Sequence, residues 1–425
     1  MKADYKKNSG SIDTILLLCY IALVVIGVLS IFSATYNNEF QGTFFSLSHS
    51  YMKQVLWAGI SFLMFFALIG MDRRIIQFFS YPAYILIMLL LFSVLFIGER
   101  TKGDQNWINL GFFKLQPSEF AKFATAMALA AFFDTNNMHF KTTKDYLTAF
   151  AIIAIPLGLV LLQGDAGSAI VFLSFIFVLN REGLPDGLIY FGLYVVFIGI
   201  LSLILDKFII IAITIFVFGI LIYINLRNKA MVKFLAIIMF GTMIFSSSVS
   251  IIFNNVLLKH QRDRINIVLG KELTKEAERG IAFNLNQSKI AIGSGGIIGK
   301  GYLNGTQTRF NYVPETSTDF IFTAIGEEWG FLGSLVLIGL YVSLLTRLIF
   351  MAEQQRTAYG RVYIYSVAAI IFTHVAINIG MTIGIVPVIG IPLPFISYGG
   401  SSLLSFSFMI ATCLKLDNEQ RGIMR

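Results

Sequence analysis

Four carboxylates crowd one boundary of this chain. Glu315, Asp319, Glu327 and Glu328 lie between Tyr312 and Gly333, where a polar segment gives way to a long apolar run. A carboxylate at the lip of an apolar helix can take a proton as a general base. It can hold a cation. It can also cap the helix and meet the positive end of its dipole. Asp319 stands at the transition itself and is expected in the first turn of a helix beginning near Thr316 to Thr318. On that helix positions 319, 322, 323, 326 and 330 would share a face, reading Asp, Phe, Thr, Gly and Gly. Such a face admits a substrate or a neighbouring helix. On the residues alone, the working acid and the cap are both open.

Other groups could carry chemistry. Glu119 and Lys122 are three apart on one expected span and can pair, and Asp165, in a separate loop-to-helix turn, could join them in a buried ion cluster. Such a cluster fixes helix packing, or relays charge in a transporter. His374 and Asn378, four apart, suit interhelical hydrogen bonds better than a metal site, because no second His or Cys accompanies them. Pro387, Pro392 and Pro394 break the run that follows, and broken backbone at membrane depth needs protein or a cavity beside it. That run, closed by Ser397 and Tyr398, is a candidate cleft wall. The segment Gly293 to Gly301 could offer backbone N–H groups to a phosphate, although it fails both nucleotide-binding glycine spacings. Arg262 and Arg264 could clamp a lipid pyrophosphate, or anchor at the membrane interface.

The elements that must position these groups are membrane helices. Of 425 residues, 56% are hydrophobic and 13% charged, against about 25% charged in soluble domains. Mean hydropathy is +0.76. Long, repeated apolar runs mean helices rather than the short alternating strands of a barrel. The net charge of +8 reflects Lys and Arg in cytoplasmic loops rather than a nucleic-acid partner. Cys19 and Cys413 lie inside apolar runs and imply neither a disulfide framework nor a metal site. Twelve spans are expected, nine before the long polar stretch Asn254 to Ser317 and three after it. Glu99 to Ser118, with Trp107 and Phe112-Phe113, reads as an amphipathic interfacial loop. With the N-terminus inside, the inside loops and ends hold 17 Lys and Arg, among them Lys2, Lys6, Lys7, Lys141 and Arg425. The short outside loops hold 5, Lys102 among them. Both termini are then cytoplasmic, and the long stretch ending near Asp319 is outside.

These residues resemble the SEDS family (shape, elongation, division and sporulation). The resemblance rests on Gln116-Pro117-Ser118-Glu119-Phe120-Ala121-Lys122, on Gln163-Gly164-Asp165-Ala166-Gly167-Ser168, and on Gln287-Ser288-Lys289 through Gly296. Gly305-Thr306-Gln307, Pro314-Glu315-Thr316-Ser317-Thr318-Asp319-Phe320 and the run from Asn378 to Ser402 add to it. Gly-Thr-Gln, Asn-Ile-Gly-Met and Pro-Leu-Pro are similar to the RodA branch rather than the FtsW branch. The resemblance implies an all-α polytopic bundle over residues 1–425. It would hold the family's ten helices plus a pair inserted within 182–253, and one large extracytoplasmic loop at 254–317.

The resemblance also implies an activity: a peptidoglycan glycosyltransferase polymerising lipid II into β-1,4 glycan at the outer face of the bacterial cytoplasmic membrane. Its partners would be a class B penicillin-binding protein and the elongation machinery. The family's essential Asp falls on Asp319, and its buried cluster on Glu119, Lys122 and Asp165. Candidate lipid II contacts are Arg262, Arg264, Gln287, Ser288, Lys289, Glu315, Thr318, Ser397 and Tyr398. The leaving pyrophosphate needs positive charge, from the two arginines or from a divalent cation such as Mg or Mn. Two residues depart from the family pattern: Ser317 stands where a His is usual, and Gly164 where a Pro is usual. The rival reading is a lipid II flippase with Glu119, Lys122 and Asp165 as its moving charges.

Overall fold

The computed structural model describes residues 12–36, 49–101, 104–111, 113–135, 140, 142–255, 257, 259–271, 273–310, 312–313 and 315–423. Lys2, Lys6, Lys7, Lys102, Phe112, Lys141, Pro314 and Arg425, all used above, lie outside the described residues. The described chain is helical but for one small sheet. It divides into two compact units, residues 1–183 with 283–425, and residues 184–282.

The first unit opens with α1 (Thr14–Thr35), α2 (Ser50–Gly70), the short α3 (Arg73–Phe78) and α4 (Ser80–Ile97). Asp13 starts α1 by accepting from the Leu16 N–H. Strands β1 (Glu99–Thr101), β2 (Asp104–Asn109) and β3 (Lys114–Leu115) follow as an antiparallel sheet in that order. The expected interfacial loop is thus a sheet. Trp107 and Ile108, aromatic and β-branched, suit a strand, and Gly111 takes φ +83° in the turn to β3. Next come α5 (Pro117–Thr135), α6 (Thr143–Leu162), α7 (Ala166–Leu173) and α8 (Phe175–Arg181). Pro117 suits the first position of α5, where no intrahelical N–H is needed. Alanines 121, 124, 126, 128 and 130 of α5 are fully buried, and α4, α6, the later α17 and α18 all pack against it. Small side chains allow that close approach.

The second unit holds α9 (Asp186–Ile204), α10 (Lys207–Ile224), α11 (Lys229–Asn255), α12 (Lys259–Leu269) and α13 (Lys275–Ala277), then a π-helical turn at Glu278–Ala282. The Tyr194 hydroxyl meets Thr242 Oγ1 at 2.6 Å and ties α9 to α11. The region 182–253, where an inserted pair is expected, falls almost wholly in this unit together with α12 and α13.

The first unit resumes with α14 (Phe283–Ser294), α15 (Thr306–Arg309), α16 (Ile321–Gln354), α17 (Ala358–Ile383) and α18 (Gly400–Ile423). The stretch expected as a long loop is mostly short helices. Nine helices among the described residues are long and apolar enough to cross a membrane. The other expected spans fall on α5, on the broken pair α7–α8 and on α18. α16 breaks at Gly330, whose φ of +62° and ψ of −158° only glycine adopts readily. The groups freed by that break are used. Phe331 and Leu332 donate to the carbonyls of Gly296 and Ile297, and the carbonyls of Glu327 and Glu328 accept from Lys300 and Gly301. This corrects the phosphate reading of Gly293 to Gly301. The N–H groups of Gly299, Lys300 and Gly301 are spent on protein carbonyls, as a broken membrane helix requires.

Candidate active site

Asp319 lies in the turn before α16, not in its first turn; the helix starts at Ile321 with Phe320 at the cap position. The turn closes on Glu315, whose carbonyl accepts from the N–H groups of Thr318 and Phe320. The Thr318 hydroxyl donates to Glu315 Oε2 at 3.0 Å. Glu315 and Asp319 are half-buried, and Thr316 and Phe320 on either side are buried. The buried Thr316 and Phe320 anchor the turn while its acids stay partly accessible.

Three successive carbonyls of this turn dock on α17 and the non-helical run after it. The Tyr398 N–H donates to the Ser317 carbonyl at 2.9 Å. Ser397 Oγ donates to the Thr318 carbonyl at 2.6 Å and accepts from the Leu393 N–H at 2.8 Å. Asn378 Nδ2 donates to the Asp319 carbonyl at 2.9 Å. The run itself leaves the helix at Gly384 (φ +81°) and turns at Gly390 (φ +73°). A Cβ at Gly390 would lie 3.2 Å from Asp319 Oδ2, so the carboxylate rests over a residue with no side chain. Gln54 of α2 braces the far end, donating to the Ser397 carbonyl and accepting from the Gly399 N–H. The run expected as a cleft wall lies against Asp319 at Gly390.

Gln287, Ser288 and Lys289 lie on α14, which packs on α16 and α17. Ser288 is fully buried and joins the two, meeting Thr323 Oγ1 at 2.6 Å and donating to the Thr382 carbonyl at 3.0 Å. Gln287 is half-buried. Lys289 is exposed and lies across Gly384, where a Cβ would collide with it. The small face of α16 meets α14 as well: Ile292 packs on Gly326. That face serves a neighbouring helix. Arg262 and Arg264 lie on α12 in the second unit, and Arg262 donates to the Asn254 carbonyl at 3.0 Å.

Two further carboxylates are structural in their contacts. Glu327 is fully buried, pairs with Lys300 at 2.7 Å and accepts from the N–H groups of Gln307 and Thr308. It thereby clamps the Gly305-Thr306-Gln307 motif. Glu328 accepts from Ser33 of α1. Among the described residues no three His, Cys, Asp or Glu side chains gather as metal ligands.

The buried ion group is not the expected one. Glu119 and Lys122 pair at 2.7 Å, both essentially unexposed. The third member is His374, whose Nε2 lies 2.9 Å from Lys122 Nζ. Asp165 makes no ion pair with Lys122. It caps α7 through the Ser168 N–H and accepts from Asn106 and Gln116. The reason is local: Gly164 takes φ +88°, turning Asp165 back over its own helix and toward β2. Gln54 and Asn106 carried no sequence signal beyond a polar residue near an apolar run, and Gln116 stood in the first quoted motif with no role assigned to it.

The chain matches the family model FtsW/RodA/SpoVE, described as a cell cycle protein, over residues 13–212 and 180–422. It is 31% identical to the peptidoglycan glycosyltransferase RodA of Treponema pallidum, covering 98% of this chain and 99% of that one. It is 32% identical to the peptidoglycan glycosyltransferase MrdB of Escherichia coli K12, covering 92% and 90%. In fold it is similar to a chain of a peptidoglycan synthase complex that coordinates polymerization and crosslinking (TM-score 0.70, 25% identity, 96% and 98% covered). It is also similar to the Thermus thermophilus rod shape determining protein RodA (TM-score 0.62, 24% identity, 96% and 98% covered). A match spanning almost the whole chain settles its kinship: this protein belongs to the FtsW/RodA/SpoVE family of cell cycle proteins.

Proposed function

We propose that this chain is a multi-pass peptidoglycan glycosyltransferase of the bacterial cytoplasmic membrane, polymerising lipid II during cell elongation, with Asp319 as general base. Membership of the family and two relatives named as peptidoglycan glycosyltransferases support the activity. One observation carries the residue assignment. The Asp319 carboxylate lies against Gly390, with three consecutive carbonyls of its turn bonded to the neighbouring chain. A base must hold its place while it takes a proton, and the turn that carries this one is held through three of its carbonyls.

The reaction is a single displacement. The GlcNAc 4-hydroxyl of the acceptor attacks the MurNAc anomeric carbon of the donor, its proton passes to Asp319, and the bond to the pyrophosphate breaks. The donor is α-linked and the product β-linked, so one inversion suffices and no covalent enzyme intermediate forms. The departing pyrophosphate already carries charge and calls for electrostatic stabilisation more than for a proton. Arg262, Arg264 and Lys289 are the candidate cations in the chain, with a divalent ion as the external alternative. A class B penicillin-binding protein of the elongation machinery is the proposed partner; the likeness to a chain of a peptidoglycan synthase complex supports it.

The test is Asp319→Asn in the full-length chain, with its transpeptidase partner where polymerisation requires one, given labelled lipid II. Loss of the base should slow polymerisation by about 10²–10⁴-fold. Wild-type-like glycan from this variant would refute the assignment. Movement of lipid II across proteoliposomes without glycan growth would instead favour the flippase reading.

A further inference from the structure

His374 and Asn378 stand one turn apart on α17, 1% and 0% exposed. Asn378 Nδ2 donates twice, to the carbonyl of Ile391 at 2.7 Å and to that of Asp319 at 2.9 Å. His374 Nδ1 lies 3.0 Å from the next carbonyl along the run, that of Pro392. A carbonyl only accepts, so in this contact Nδ1 carries the proton. Its other nitrogen faces Lys122 Nζ at 2.9 Å. An ammonium only donates, so Nε2 is the bare, accepting nitrogen. Lys122 therefore sets the tautomer of His374, and Glu119 at 2.7 Å balances the lysine's charge.

We propose that His374 and Asn378 are positioning residues for Asp319, fixing the carbonyls of Ile391 and Pro392 and thereby the Gly390 wall that the carboxylate faces. The Glu119–Lys122 pair serves the same end by holding the histidine in its donating tautomer. The geometry explains why donors are needed there. Pro392 and Pro394 lack N–H groups, so the run cannot satisfy its own carbonyls as a helix would. Asn378 also spans both parts of the site, since its amide holds the turn that carries Asp319 and the run that faces it. Neither can move alone without breaking a buried hydrogen bond. This role rests on the reading of Asp319 as the base.

The test uses amides that mimic one imidazole nitrogen each. In His374→Asn the amide nitrogen falls near Nδ1, keeping the donor to Pro392 and losing Lys122. In His374→Gln the amide oxygen falls near Nε2, accepting from Lys122 and losing the donor to Pro392. The full-length protein is assayed on labelled lipid II over a range of concentrations, with folding followed by thermal unfolding in detergent. The expected result is a kcat for His374→Asn close to wild type, and for His374→Gln a kcat lowered by about 10²-fold with KM unchanged, as for a displaced catalytic group. Asn378→Asp, isosteric but without the amide donors, should behave like His374→Gln. In both slow variants the acid limb of the pH–rate profile should stay where it is in wild type, because the base is displaced and not replaced. Equal rates for the two histidine variants, or a wild-type kcat in both His374→Gln and Asn378→Asp, would overturn the proposal while leaving Asp319 as base. Failure of both to fold while His374→Asn folds would also overturn it, assigning the contacts to stability. An active Asp319→Asn would sink the base reading itself, which is a separate outcome.

Discussion

At the scale of single residues, the buried charges make the sharpest claim. Lys122 is fully buried and its ammonium touches Glu119 and His374. Removing the lysine alone leaves Glu119 as an uncompensated buried carboxylate. Lys122→Met should therefore cost about 3–5 kcal/mol of stability. Glu119→Gln together with Lys122→Met removes both charges, and should recover about 1–3 kcal/mol of that loss as coupling between neighbours. Denaturant unfolding of Lys122→Met, Glu119→Gln and the double variant in detergent measures both quantities. A double variant no better than the single would mean that the pair is not an isolated charge couple. The pairing of Glu119 with Lys122 was legible because three residues separate them on one helix. The partner His374 was not, because 252 positions lie between it and Lys122. Nothing in local spacing distinguishes His374 from Asp165 as the third member.

Elements carry the next layer, and glycines decide two of their ends. Gly164 stands where the family commonly has proline, and its φ of +88° explains why this chain cannot have one. Proline holds φ near −65°. Gly164→Pro should break the turn that aims Asp165 and cost at least about 1–3 kcal/mol in backbone strain. Thermal unfolding of the purified variant checks this, and an unchanged midpoint would mean that the turn re-forms another way. The long helices were legible from hydropathy, because each must satisfy its backbone within itself. The break in α16 was less so. Gly326, Gly330 and Gly333 look alike in sequence, yet only Gly330 departs from helix, where the glycine loop at 296–301 supplies outside partners for the freed backbone. The β1–β3 sheet was missed for a related reason. Its strands are two to six residues long, shorter than any reliable alternation. The place of Asp319 at a helix lip was read correctly to within a turn; the three carbonyl contacts that hold it come from chain almost sixty or more residues away.

At the scale of the whole molecule, the proposed chemistry needs Asp319 on the outer face, and that depends on parity. The charge count puts Lys144 and Arg227 inside and the segment after α11 outside. The second unit, residues 184–282, is the sensitive part. Two crossings by α9 and α10 would restore the side on which the chain entered them, so an added pair of spans would leave Asp319 outside, whereas one or three would place it in the cytoplasm. Single cysteines can decide this, because Cys19 and Cys413 are 7% and 0% exposed and should label slowly. Lys144, Arg227 and Lys275 are all exposed; they precede α9, separate α10 from α11 and follow α11. In intact spheroplasts a membrane-impermeant maleimide should label Lys275→Cys and spare Lys144→Cys and Arg227→Cys. After lysis all three should react. Protection of Lys275→Cys in intact spheroplasts would place Asp319 on the side where the undecaprenyl-linked substrate is made rather than polymerised, and the glycosyltransferase mechanism would have to be withdrawn. Labelling of Arg227→Cys with Lys275→Cys would show that α11 does not cross and that only one of α9 and α10 does. The outer-face position of Asp319 would then have to rest on a different helix count.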